Sequence, residues 1–246
     1  MAQRQRIVMA RCVIVFLWVL WALGAGAAHA GEADLRQAFQ KKFPQAVIES
    51  VARTPFSGIY EVVFDGQIAY TDEKLSFVFI GTLYDLRGAE RRNLTQERGA
   101  QLAAQSLEQS QALAVKRVRG NGKRVIYTFE DPNCGYCKRL QQELVKINDV
   151  TIYTFLWPIL SADSVEKSKA VWCAKDRGKA WDDLMTSGIV PQNDRKCANP
   201  IAKNNELAQR FGVRGTPAIY LTDGRQIGGF LEAEKLEQAL VSASSK

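Results

Sequence analysis

The stretch "EDPNCGYCKRL", residues 130–140, carries Cys134 and Cys137 with only Gly135 and Tyr136 between them. Two cysteines at this spacing can grip a metal, staple a loop, or shuttle electrons as a dithiol and disulfide. A metal site would need two more ligands. The chain has a single histidine, His29, and it falls in an N-terminal leader, so only Cys173 and Cys197 could complete a tetrathiolate zinc site. Such a site suits a reducing compartment and fits poorly in an exported protein. A purely structural Cys134–Cys137 bridge would close so small a ring that it gains little chain entropy. Thiol–disulfide exchange is the reading that remains, with no bound metal or cofactor. The lack of histidine also excludes Ser-His-Asp and Cys-His catalytic sites.

The chemistry assigns different roles to the two sulfurs. With Cys134 at the N-terminus of a helix beginning "CGYCKRLQQELVKI", the helix dipole and its free N–H groups stabilise the thiolate. Cys137, one turn later, is shielded. Cys134 is therefore the expected attacking sulfur and Cys137 the resolving one. Gly135 lets a substrate backbone approach, and Tyr136 adds an apolar face. The gain in attack rate is small, because a more acidic thiol is a weaker nucleophile; the larger effect is on redox poise. Proton handling has two local candidates, Glu130 and Asp131, although both also fit as a strand end and turn before Pro132.

A second landmark is "RGTPAIYL". Thr216-Pro217 precedes an apolar run; taken alone it reads as a turn with the trans isomer as default. Together with the cysteine pair it resembles the cis-proline loop of thioredoxin-like domains, which lies opposite the dithiol and leaves the preceding backbone free to pair with substrate.

The elements that must hold these residues follow from pattern. "MAQRQRIVMAR" is basic, "CVIVFLWVLWAL" is apolar, and "GAGAAHA" ends in Ala28-His29-Ala30. This is a secretory leader, residues 1–30, cleaved after about Ala30; its apolar run is short for a membrane anchor. The formal net charge of +7 falls when Arg4, Arg6 and Arg11 leave. What remains is a mild, dispersed excess, not a nucleic-acid footprint. Cys12 leaves with the leader; the four cysteines that remain, Cys134, Cys137, Cys173 and Cys197, then face an oxidising compartment, and three pairings are open.

Residues 31–90 read as a small α+β unit. Leu35, Phe39 and Phe43 recur every fourth residue before Pro44, and Asp65-Gly66 sits between two β-rich runs as a hairpin turn. So small a unit often needs a partner chain. Residues 91–119 are rich in helix formers, with Asn93 and Gln96 spaced for a capping box. The weak apolar stripe there predicts a solvated connecting helix. From residue 120 to 246 the order is β-α-β-α-β-β-α: a strand "KRVIYTF", the dithiol helix, a strand "VTIYTFLW", helices "ADSVEKSKAVWCAKDRGKAWDDLM" and "NNELAQRFGV", two strands around Asp223-Gly224, and a closing helix. With Cys-x-x-Cys after the first strand, this is a thioredoxin-like domain.

"CGYC", "VWCAKDRGKAWDDLM", "GTPA" and the upstream "GTLYDLRG" together resemble the bacterial periplasmic disulfide isomerases of the DsbC/DsbG family, over essentially the whole mature chain. The resemblance implies an α+β N-terminal dimerisation domain (helix plus antiparallel sheet), a linker helix, and an α/β thioredoxin-like catalytic domain. It also implies Cys134 and Cys137 as the redox pair, Thr216-Pro217 as the substrate-facing cis-proline loop, and Cys173–Cys197 as a structural disulfide. The implied partners are a second copy of the chain, unfolded or misoxidised exported proteins, and a membrane thiol reductant of the DsbD type. Chaperone activity is implied too. The DsbG-type alternative, a reductase and chaperone that protects single cysteines, typically has proline where this chain has Gly135. Two departures are specific to this chain. Lys138 stands where some relatives have histidine, and Thr128 stands where thioredoxin keeps a buried acid.

Overall fold

The computed structural model describes residues 27–244. The leader expected over residues 1–30 lies outside them except for its last four positions, which open the first helix. The chain divides into two compact units, one ending at Thr82 and one beginning at Leu83.

The N-terminal unit packs α1 (Ala27–Lys42) on a sheet of β1 (Ile48–Arg53), β2 (Ile59–Phe64), β3 (Gln67–Asp72) and β4 (Phe79–Ile80), in that spatial order and antiparallel throughout. Leu35 and Phe39 are buried as their spacing predicts, while Phe43 is exposed because the helix ends at Lys42. Gln40 Nε2 donates to the carbonyls of Phe43, Pro44 and Ala46 and so ties off the helix end. The Asp65-Gly66 turn is present: both residues have positive φ, 49° and 75°, as a two-residue type I′ turn between paired Phe64 and Gln67 requires. Strand β1 carries no clear alternation in "IESVAR"; pairing with β2 creates it.

In the second unit, a short ribbon of β5 (Tyr84–Asp85) and β6 (Arg92–Asn93) leads into α2 (Leu94–Gln109). Asn93 Oδ1 accepts from the Gln96 amide at 2.9 Å, capping the helix as its spacing predicts. The helix is partly buried, as its weak apolar stripe predicts, and the buried part packs into the second unit. Leu107 is fully buried in a core with Tyr127, Phe129 and Phe155, and α2 lies so close to the Asp223-Gly224 turn that a Cβ on Gly224 would strike the Ala100 carbonyl. Leu107, with Ala103 one turn before it, and a backbone contact anchor this helix, which is too narrow a stripe to register as periodicity.

The larger sheet of this unit has the order β10-β8-β9-β7, built from β7 (Val115–Arg119), β8 (Arg124–Glu130), β9 (Val150–Leu156) and β10 (Ala218–Leu221). β7 falls inside the stretch assigned by sequence to the connector, yet it is an edge strand of this sheet. In contrast, the second strand expected after Asp223-Gly224 shrinks to a bridge at Gln226 and a few backbone bonds such as Ile227 N–H to the Ile219 carbonyl.

Four helices cover the rest of the sheet's surroundings: α3 (Gly135–Leu144), α4 (Ala162–Trp172), α5 (Arg177–Ser187) and α6 (Ile201–Arg210), with α7 (Ala233–Ser244) closing the fold. The long helical stretch read around Cys173 is two helices. It breaks there because Asp176 caps a new N-terminus through the Lys179 amide.

Topology decides where the site forms. β8 runs parallel to β9, so the C-terminal ends of both lie at one edge of the sheet. β10 is antiparallel to β8 and pairs Ala218 with Phe129, so it begins at that same edge. Residues 131–134, 157–161 and 214–217 therefore converge, with the β8 turn in the middle.

Candidate active site

Cys134 is the N-cap of α3, in an extended conformation (φ −73°, ψ 119°). Its Sγ accepts from the Cys137 amide at 3.4 Å and donates to the Thr216 carbonyl at 3.3 Å. The Thr216-Pro217 peptide is cis. The sheet has thus brought together residues 82 positions apart, and the sulfur meets both a helix N-terminus and the loop expected to face substrate. Cys134 is 7% exposed and Cys137 is 0% exposed, so both are buried and Cys134 is the less buried of the two. Both are free thiols. Gly135 faces open space, with no heavy atom within 4 Å of where a Cβ would stand; the absence of a side chain leaves the approach to Cys134 clear. Tyr136 is exposed, its ring 6.2 Å from that of Phe230.

Cys173 and Cys197 are bonded to each other. This removes both from any shared metal site with the dithiol and selects one of the three pairings. The bridge ties the end of α4 to the segment before α6, where Trp172 Nε1 also donates to the Ala198 carbonyl at 3.0 Å.

Beneath the dithiol lies a buried polar cluster that sequence reasoning saw only in part. Glu130 is fully buried. Its Oε1 accepts from Thr128 Oγ1 at 2.7 Å, and Gln141 Nε2 donates to Oε1 and Oε2 at 2.9 and 2.7 Å. Gln141 is held in turn by Arg117 Nη1, which also pairs with Asp182 at 2.7 Å; Arg117 Nη2 donates to Thr154 Oγ1 at 2.9 Å. Burial pushes the Glu130 carboxyl up from its ordinary range, and the Arg117 guanidinium and hydrogen bonds from Thr128, Gln141 and Thr154 pull the other way. The Cys137 thiol is pushed well up, first by burial and then by the negative charge of Glu130.

Thr128 occupies the position where an acid was looked for, and the acid stands two residues later. In a strand, residues i and i+2 share a face, so a carboxyl at 130 reaches the compartment that a carboxyl at 128 would occupy. Strand parity was the signal that could have placed it. Nothing local marks Arg117, Gln141 or Thr154.

Asp131, the other candidate, is also buried but differently employed. Oδ1 accepts from the Asn133 amide (2.7 Å) and Ser164 Oγ (2.8 Å), and Oδ2 from the amides of Ile159 (2.8 Å) and Leu160 (2.9 Å). A carboxylate has about four acceptor positions, and all are taken. Oε2 of Glu130, with Gln141 as its partner, has capacity left.

Two family models match the chain: a disulfide bond isomerase protein N-terminal domain over residues 26–96 and a thioredoxin-like domain over residues 111–244. A curated relative from Bordetella pertussis, described as a probable thiol:disulfide interchange protein DsbC, is 41% identical over 207 residues, spanning 84% of this chain and 73% of its own. The thiol:disulfide interchange protein DsbC of Escherichia coli K12 is 28% identical, spanning 91% and 93%. Among solved structures, a disulfide interchange protein from Neisseria gonorrhoeae superposes with a TM-score of 0.53 at 40% identity, over 55% of this chain and 97% of that one.

Proposed function

The chain belongs to the DsbC-type thiol:disulfide interchange proteins, and from that premise we propose the following course for its reaction. Cys134 thiolate attacks a non-native substrate disulfide; one substrate sulfur leaves as a thiolate, and the other stays bonded to Cys134. A second substrate thiolate then attacks that sulfur, forming a new substrate disulfide and returning Cys134 as thiolate. Electrons are conserved, so the enzyme must begin reduced. Alternatively Cys137 attacks Cys134, the Cys134–Cys137 disulfide forms, and substrate leaves reduced. That route requires the Cys137 proton to go somewhere, and Glu130 is the acceptor whose charge acts on it.

The observation that carries the reading is the position of Cys134 Sγ, at a helix N-terminus and against the Thr216 carbonyl, with Cys137 buried behind it. Thr216-Pro217 serves as the substrate-facing loop and Cys173–Cys197 as a structural tie. No cofactor beyond the dithiol takes part.

The working form is a periplasmic homodimer, joined through the N-terminal unit, reduced by a membrane thiol reductant of the DsbD type, and active as a chaperone as well as an isomerase. Support for the dimer comes from the sheet edge. β4 is two residues long, and the run Phe77-Val78-Phe79-Ile80 is exposed along it, an apolar edge that a second copy would cover.

Refolding of a scrambled multi-disulfide protein at a fixed glutathione ratio tests the assignment. Cys134→Ser abolishes unscrambling and leaves suppression of aggregation in place. Cys137→Ser still reacts but accumulates the mixed disulfide, visible by mass spectrometry. Unscrambling by Cys134→Ser would overturn the reading.

A further inference from the structure

The turn before the dithiol holds two apolar side chains at the site. Ile159 and Leu160 follow β9 and remain 43% and 55% exposed. Exposed aliphatics in sequence are unremarkable alone; the way these are held is not. Both of their backbone amides donate to one oxygen of the buried Asp131, whose own carbonyl accepts from the Cys134 amide at 3.1 Å. The other carboxylate oxygen is tied to Ser164 at the start of α4 and to the Asn133 amide. Asn133 Nδ2 reaches Ser161 and Asp163 as well. One buried side chain therefore ties the 157–161 loop to the position three residues before the attacking sulfur.

Sheet order places this loop. β10 flanks β8 on one side and brings Thr216-Pro217, whose carbonyl accepts from Cys134. β9 flanks β8 on the other side and brings Ile159 and Leu160. A substrate backbone set against the Thr216 loop and across the dithiol would carry the side chains next to its cysteine toward the β9 flank.

We propose that Ile159 and Leu160 form a specificity lip that favours disulfides whose cysteines are flanked by apolar residues, and that Asp131 is the positioning residue that holds it. This deepens, and rests on, the assignment of Cys134 as the attacking sulfur. The occupant is the apolar side chain adjacent to a cysteine in an unfolded chain. Such side chains are buried around correctly formed disulfides and exposed around wrong ones, so the lip would select for errors.

The test uses the reduced, full-length mature protein and two symmetrical peptide disulfides of equal length, one with leucine and one with serine on each side of the cysteine. The readout is the ratio of the two second-order rate constants for peptide reduction, Cys134–Cys137 being oxidised as each peptide pair is released as thiols. A ratio cancels any loss of folded protein. The parent favours the leucine peptide, and Ile159→Ser with Leu160→Ser lowers the ratio about fivefold, the effect expected for losing partial burial of two aliphatic side chains. Asp131→Asn lowers it in the same direction, and adding Asp131→Asn to the serine pair lowers it no further, the signature of residues acting as one unit. A parent without preference, or a ratio within about twofold of the parent in the serine pair, overturns the lip. Asp131→Asn that slows both peptides equally overturns its positioning role. Failure of the parent to react with either peptide overturns the thiol-exchange reading itself.

Discussion

Gln141 Nε2 donates to both carboxylate oxygens of Glu130, at 2.9 and 2.7 Å, and its own oxygen is held by Arg117. Gln141 lies one helical turn after Cys137 on α3, so the helix that carries the dithiol also carries the group that orients the acid beneath it. A buried carboxyl with polar partners on a catalytic helix is a costly feature, and its cost is readable as a pH dependence.

The Glu130 carboxyl is raised in the folded state above its unfolded value of 4.5, chiefly by burial. The folded protein therefore binds this proton more tightly than the unfolded chain. Its contribution to stability is complete below the unfolded value and is lost as pH rises through the folded value. Glu130→Gln should remove that loss, so the stability of the variant relative to the parent rises with pH across this window. Urea unfolding at several pH values measures it, and a difference independent of pH would mean that the carboxyl ionises alike in both states. In exchange assays the same variant should slow release of reduced substrate through Cys137, with the initial attack by Cys134 less affected.

The Cys173–Cys197 bridge spans 24 residues. Replacing both cysteines by alanine should lower the unfolding free energy by about 3 kcal/mol on the loop-entropy scale. Exchange activity per folded molecule should persist, because the bridge sits on the α4–α6 side and contributes no group to the dithiol. Denaturant titration gives the first quantity and reduction of a small peptide disulfide gives the second. Loss of exchange in fully folded variant would assign the bridge a part in the chemistry.

Ile80 sits on the exposed edge strand β4, paired only with Ala69 of β3. Ile80→Lys puts a charge on an edge that the proposed dimer must cover, and edge lysines are a common block to strand pairing. Sedimentation should show a monomer with an intact fold. Unscrambling of large substrates should fall while reduction of a small peptide disulfide remains. A dimer unchanged by Ile80→Lys would move the interface elsewhere.

Features that depend on neighbours in sequence were legible. Asp65-Gly66 specifies its hairpin because both positions need positive φ. Asn93 caps its helix because its oxygen reaches the Gln96 amide three residues on. Cys134 and Cys137 declare a dithiol because one helical turn separates them. Features set by long-range packing were not. Leu107 gave no sign that it enters the core of the second unit, because Leu94, Leu102 and Leu107 do not line up as one broad apolar stripe on an otherwise polar helix. β7 was hidden in the connector, since "VKRVR" becomes a strand only when β9 supplies its hydrogen-bond partners.

The sequence by itself determined the local features: two cysteines one helical turn apart at the start of a helix, after a buried strand, and a Thr216-Pro217 step before another. Spacing and periodicity are local quantities, and a linear chain records them directly. Only the tertiary structure decided which carboxyl lies under Cys137 and that Asp131 binds the amides of Ile159 and Leu160 from 28 and 29 positions away. Those choices follow from the strand order β10-β8-β9-β7, which sets which loops meet at one sheet edge. Pairing among strands is a property of the closed core, and no single segment carries it.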